Sequence, residues 1–126
     1  NHAPLATPGS AASPASTGVC TIYANDPTHP YYGIIEGSTD QFCSGTISSQ
    51  QLDAGLLRSS WRGYLREAYV PGYWTSDYST STYVDVNCNP GTTYNWKTDG
   101  QGRFYDGYGD YYLSPSVLSG APRYTC

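Results

Sequence analysis

Tyr83-Val84-Asp85-Val86-Asn87-Cys88, followed by Asn89-Pro90-Gly91 and then Thr92-Thr93-Tyr94-Asn95-Trp96-Lys97, is the stretch that decides the fold. Val84, Val86 and Cys88 alternate with Tyr83, Asp85 and Asn87, the period of two that marks a strand with one buried and one wet face. Pro90 suits the first central position of a type II turn because its ring presets φ, and Gly91 suits the second, where φ is positive. In the run that follows, Thr92, Tyr94 and Trp96 share a face, so a second strand is predicted. Asp99-Gly100-Gln101-Gly102 then reads as a turn into a third short run, Arg103 to Gly107, and the three are expected to form a meander.

Upstream, Val19 to Ala24 (VCTIYA) is a short strand and Asn25 to Pro30 (NDPTHP), with two prolines, a loop. Tyr31 to Gly37 and Phe42 to Ile47 are short β-prone runs separated by polar turn residues. Ser49 to Val70 is ambiguous. Leu52, Leu56, Leu57, Trp61, Tyr64, Leu65 and Ala68 fall at helical spacing, whereas Leu57, Trp61, Leu65 and Tyr69 share the parity of one strand face. Gly55 and Gly63 weaken the helix, so a strand over Leu57 to Val70 is preferred. Downstream, Pro115 and Pro122 interrupt the chain before a short terminal strand at Arg123 to Cys126. The expected class is all-β: a small antiparallel sandwich or barrel-like meander with two disulfides and long loops, behind an extended N-terminal tail.

The chain's 126 residues suit one domain. Composition shifts after Gly18, so residues 1–18 are taken as a Pro/Ala/Ser/Thr-rich tail and residues 19–126 as the folded unit. With 14 Tyr, 3 Trp and no Met, buried area must come largely from rings with a polar end. Such a core is thin, and Cys20, Cys43, Cys88 and Cys126 form an even set able to staple it. Four cysteines permit three pairings; Cys20 with Cys43 and Cys88 with Cys126 is the preferred one. Oxidised cysteines with a single lysine point to an exported protein. The N-terminus shows neither a basic region nor an apolar run, so the numbering is expected to start at or after a signal cleavage site. No segment approaches the roughly 20 apolar residues of a membrane span. A net charge of -4 and a pI near 4.7 argue against nucleic acid, and the basic cluster Arg58, Arg62 and Arg66 suits carboxylate partners or a solvated face.

Enzymatic chemistry finds no constellation here. His2 lies in the tail and His29 in a predicted turn, so neither suits a general base, and the CSGT run around Ser44 lacks a nucleophile elbow. Asp77, Asp85 and Asp106 sit near aromatic residues, but nothing singles out a glycosidase pair. The histidines and cysteines carry no zinc spacing, and Asp99, Asp106 and Asp110 suit structural turns better than a calcium loop. No enzyme activity, metal or cofactor is expected.

Two features suggest binding. Pro4, Leu5, Pro8 and Pro14 give the tail a pre-extended character suited to a groove or a sheet edge of a partner. The aromatic surplus exceeds what a small core can enclose: Tyr73, Trp74 and Tyr78 form one patch on a predicted loop, and Tyr105, Tyr108, Tyr111 and Tyr112 form another. Arg58 to Tyr64 (RSSWRGY) with the later Val86 to Thr98 (VNCNPGTTYNWKT) resembles the small exported β-domains of actinomycetes over residues 43–104. More narrowly, the chain is similar in kind to the adaptor subunits of streptomycete umbrella toxin particles. That resemblance implies a non-enzymatic domain docked on one protein, with its N-terminal segment inserted into another. The expectation is therefore a secreted adaptor for other exported proteins. The alternatives are a carbohydrate-binding domain using Tyr73, Trp74 and Tyr78, or a secreted inhibitor or antimicrobial protein.

Overall fold

The structure, a computed structural model, describes residues 15–17 and 19–126. Strands follow one another along the chain: β1 (Ala15–Thr17), β2 (Cys20–Tyr31), β3 (Ile34–Cys43), β4 (Ile47–Leu52), β5 (Ala54–Ser60) and β6 (Gly63–Val70). After a segment at 71–78 come β7 (Ser79–Asn87), β8 (Thr93–Gly100), β9 (Gly102–Asp106), β10 (Tyr111–Leu113), β11 (Val117–Leu118) and β12 (Arg123–Thr125). Every pairing is antiparallel and no helix occurs among the described residues, so the all-β class holds.

One layer is the sheet β1-β2-β3-β7. Facing it are β10-β9-β4 and β11-β8-β5-β6, with β12 also on β8. These last two sheets behave as one bent layer, because β4 runs into β5 through Asp53 alone and β8 runs into β9 through Gln101 alone. Leu52 pairs with Gly102 on one side of the bend and Gly55 with Asp99 on the other. At the bend the Asp53 carboxylate accepts the Gln101 backbone N–H at 2.6 Å and the Tyr69 hydroxyl at 2.8 Å, and lies 3.6 Å from the Arg103 guanidinium. A side chain thus takes a donor the ladder would otherwise use, and the charge of a buried aspartate is met.

The sandwich core lies between the layers. Ile35 from β3 and Val84 from β7 meet Ala54, Leu56 and Trp96 from β5 and β8, beside Cys126. Cys20, Cys43, Ile47 and Phe104 form a second cluster where β4 and β9 cover the first sheet. The disulfides join Cys20 to Cys43 and Cys88 to Cys126, the preferred pairing. Cys20 and Cys43 are directly opposed across β2 and β3.

The deciding stretch forms as read: Val84 is buried and Val86 half-buried, while Tyr83, Asp85 and Asn87 are exposed. Gly91 has φ +82° and Thr92 N donates to Asn89 O, closing the turn. The meander does not form. β7 pairs with β3, β8 with β5, β11 and β12, and β9 with β4 and β10. Gly100 and Gly102 do not reverse the chain; they let the layers approach, since a Cβ on Gly100 would press on Thr39 and one on Gly102 on the Gln41 amide.

Three other expectations change. Asn25 to Pro30 is strand rather than loop, within β2, with register shifts between Asn25 and Thr28 and between Thr28 and Tyr31. Prolines are tolerated there because Pro27 and Pro30 fall within these two register shifts, where the β2–β3 ladder is interrupted. The polar residues Ser38 to Gln41 continue β3 and do not turn. Leu57 to Val70 is β-structure, but it folds into the β5–β6 hairpin with Trp61 and Arg62 at its tip, so Leu57 and Leu65 do not share a single strand.

Candidate functional site

The segment 71–78 lacks regular strand, yet four points fix it, three to β4 of the bent layer and one to the end of β3. Thr75 exchanges both backbone hydrogen bonds with Gln50 of β4, at 2.8 and 2.9 Å, on the edge opposite β9. Gln51 Nε2 donates to Gly72 O at 3.3 Å, and Cys43 N donates to Tyr78 O at 2.8 Å. Gln50 Nε2 donates to Asp77 O at 2.6 Å, and its Oε1 accepts from Gln41 Nε2 at 2.7 Å. Gln41 and Gln50 are fully buried, so a satisfied amide pair inside the sandwich sets the outer segment.

This anchoring carries Trp74 to within 5.3 Å of Tyr105, centroid to centroid, and Tyr105 lies 5.3 Å from Tyr111. Tyr105 and Tyr111 are opposed across β9 and β10, so one strand pair presents both rings on the same face. Trp74, Tyr105 and Tyr111 stay 42%, 38% and 49% exposed, which makes them a surface ridge and not a core. Tyr73, Tyr78 and Tyr108, their neighbours in the chain, are exposed as well. On the other face of β9, Phe104 is buried in the cluster around Cys20 and Cys43 and stacks on Tyr112 with centroids 4.8 Å apart.

The turn between β9 and β10 is built by Asp106. Its carboxylate accepts the backbone N–H groups of Asp110 and Tyr108, at 2.9 and 2.8 Å, and the Tyr112 hydroxyl at 3.3 Å. The Asp110 amide, followed by the Tyr108 amide and the Tyr112 hydroxyl, holds this carboxyl below the usual range, and the same charge pushes the Tyr112 phenol up. Asp106 thus acts as a turn residue. Asp99 lies on β8 and pairs with Arg66 at 2.5 Å.

The two patches read separately in the sequence meet here, because the Thr75–Gln50 bridge brings Trp74 to Tyr105. The opposition of Tyr105 and Tyr111 was legible from the intervening Asp-Gly-Tyr-Gly-Asp turn. The approach of Trp74 left no local signal. Pro4, Leu5, Pro8 and Pro14 lie outside the described residues. Arg58 pairs with Glu67 at 3.4 Å, and Arg62 stacks over Trp61, so the basic cluster has the carboxylate and solvated surroundings foreseen for it. His29 is half-buried in β2 beside Tyr124, not in a solvated turn. Its nitrogens come within ligand spacing of the sulfurs of Cys88 and Cys126, which are bonded to each other and do not form a thiolate set.

The fold and the ridge define a disulfide-bonded, all-β domain with an exposed aromatic face. No family model matches the chain. No curated protein matches it either. Among solved structures, the chain is similar to the solution structure of a late embryogenesis abundant (LEA) protein, with a TM-score of 0.49 and 10% sequence identity, over 84% of this chain and 71% of that one.

Proposed function

We propose that this chain is a secreted, non-enzymatic adaptor that docks another exported protein on the ridge of Trp74, Tyr105 and Tyr111. The observation that carries the reading is the anchoring of Trp74. Its segment is fixed by Thr75, Gln50, Gln51 and Cys43, so three large rings are presented with little ordering left to lose on binding. Tyr and Trp enrich the centres of protein interfaces, where an apolar ring body and a polar tip are both used. The second contact of the adaptor is the tail, through Pro4, Leu5, Pro8 and Pro14. This role parallels that of the adaptor subunits in umbrella toxin particles, on the strength of an extended N-terminal tail that is similar in kind. The two disulfides are compatible with an extracellular location.

The test is native purification from the culture medium, with partners identified by mass spectrometry. Trp74→Ala combined with Tyr105→Ala removes the centre of the ridge, and a partner held there loses about 30-fold or more in affinity while the melting temperature is retained. Deleting residues 1–14 releases a second partner and leaves the first. A partner still bound at wild-type strength by the ridge variant overturns the docking role. A second reading, a carbohydrate-binding domain, draws on the same row of exposed rings. A defined glycan captured on an array through Trp74 by the tail-less domain would favour it.

A further inference from the structure

Beside the Cys88–Cys126 disulfide, a cleft of about 200 Å³ opens between β5, β6, β8 and the turn after β7. It is built from strands other than those of the ridge. Arg58 and Trp96 oppose each other across β5 and β8, and Tyr94 stands two residues before Trp96 on the same face. The Arg58 guanidinium lies 4.4 Å over the Tyr94 ring, and Tyr94 meets Trp96 edge-on at 6.2 Å. Glu67, Asn87, Cys88, Asn89 and Thr92 complete the lining.

Two donors in this lining are buried with no hydrogen-bond acceptor: Trp96 Nε1 and Arg58 Nε. Trp96 is 1% exposed. Arg58 Nε lies 3.4 Å from Glu67 Oε1, close enough for ionic attraction but without hydrogen-bond alignment. Buried N–H groups call for acceptors, and these two share one cleft. The lining carries one cation and one anion side by side, so it offers little net field to an anion or a cation. What it offers instead is a mixed set: N–H donors from Trp96 and Arg58, a carboxylate acceptor from Glu67, and side-chain amides from Asn87 and Asn89 that do both. A hydroxyl group also does both. The volume corresponds to about seven water molecules at roughly 30 Å³ each, room for one sugar ring.

We infer that this cleft binds a neutral polyhydroxylated ligand, a single pyranose unit of a glycan, whose hydroxyl oxygens accept from Trp96 Nε1 and Arg58 Nε while a hydroxyl donates to Glu67. The inference stands apart from the ridge and does not depend on its partner.

The experiment follows the indole ¹H–¹⁵N resonances of Trp61, Trp74 and Trp96 in the intact chain. The probes are glucose, galactose, mannose and N-acetylglucosamine at millimolar concentrations, with sodium acetate and sodium sulfate as charged probes. At least one sugar shifts the Trp96 indole saturably, and the two salts do not. Arg58→Met and Glu67→Gln each weaken that binding about tenfold, with thermal melts confirming that both variants fold. Saturation by acetate or sulfate in place of a sugar overturns the ligand class. The site itself is overturned if none of the sugars moves Trp96, if only the Trp74 indole responds, or if both variants bind as well as the wild type.

Discussion

Gln50→Leu tests whether an amide pair inside the sandwich holds the aromatic segment outside it. Leucine is close in size to glutamine, so the change removes hydrogen bonds with little change of volume. In the wild type Gln50 donates to Asp77 O and accepts from Gln41 Nε2, at 2.6 and 2.7 Å, and neither glutamine has appreciable exposure. The variant leaves the Gln41 amide with only its 3.4 Å contact to Gln51 O, and leaves the Asp77 carbonyl to find water at the exposed segment. A buried group left unpaired costs about 1–3 kcal/mol, and with Asp77 partly rescued by solvent the sum is about 2–4 kcal/mol. At about 4 °C per kcal/mol for a domain of this size, the melting temperature falls by about 8–16 °C. Hydrogen exchange supplies the local readout, because the Thr75 amide donates to Gln50 O beside Trp74, and its protection drops further than that of the core amides on β3. Combining Gln41→Leu with Gln50→Leu removes both members of the buried pair, and the double variant is less destabilised than the sum of the singles by about 1–2 kcal/mol. A melting temperature within about 2 °C of wild type, with Thr75 protection intact, would refute the reasoning.

The remaining predictions concern the staples and one carboxyl pair. Replacing Cys88 and Cys126 together by serine frees a loop with a sequence separation of 38, worth about 4 kcal/mol on chain entropy. The Cys20 and Cys43 double replacement, with a separation of 23, costs about 3.5 kcal/mol on the same account, so urea denaturation ranks the first variant as the less stable. Glu36 faces Asp85 across β3 and β7, and burial together with the hydrogen bond to Asp85 holds the Glu36 carboxyl above the usual range. The folded state therefore binds that proton more tightly than the unfolded chain does. The stability it contributes is full below the ordinary glutamate pKa and is lost as pH rises through the elevated folded value. Glu36→Gln is accordingly more stable than wild type at pH 7 and equal to it below pH 4 in paired thermal melts; an equal difference at both pH values would contradict this.

Strand content was legible because it rests on local signals, whereas the disulfide pairing was a preference among three. Val84 and Val86 alternate with polar residues whatever their strand neighbours are, Pro90 and Gly91 specify a turn by their own dihedrals, and Cys126 closes a strand that Pro122 introduces. Strand order was not legible, because it rests on contacts far apart in sequence. Gly100 and Gly102 have the signature of a turn, and only the facing Thr39 and Gln41 show that they are gaps left for a second layer. Pro27 and Pro30 signal a loop until the register shifts of β2 against β3 are seen to fall on them. The ridge divides in the same way: the Tyr105–Tyr111 pair follows from a tight turn, whereas Trp74 joins it through the Thr75–Gln50 bridge. The cleft was equally hidden, since Arg58 and Trp96 become neighbours only when β5 pairs with β8.

The placement of the two disulfides also sets an order of oxidation during folding. Cys20 and Cys43 stand at matched positions of β2 and β3, consecutive strands with a two-residue reversal at Tyr32 and Gly33, so their thiols meet as soon as that hairpin closes. Cys88 and Cys126 meet only after β12 has lain down on β8, and β8 itself takes its place beside β5 from a distant part of the chain. The first bond can therefore form in a largely open chain, whereas the second reports that the bent layer has assembled. An oxidant that outpaces folding would find Cys20 and Cys43 ready and Cys88 and Cys126 still exposed to wrong partners.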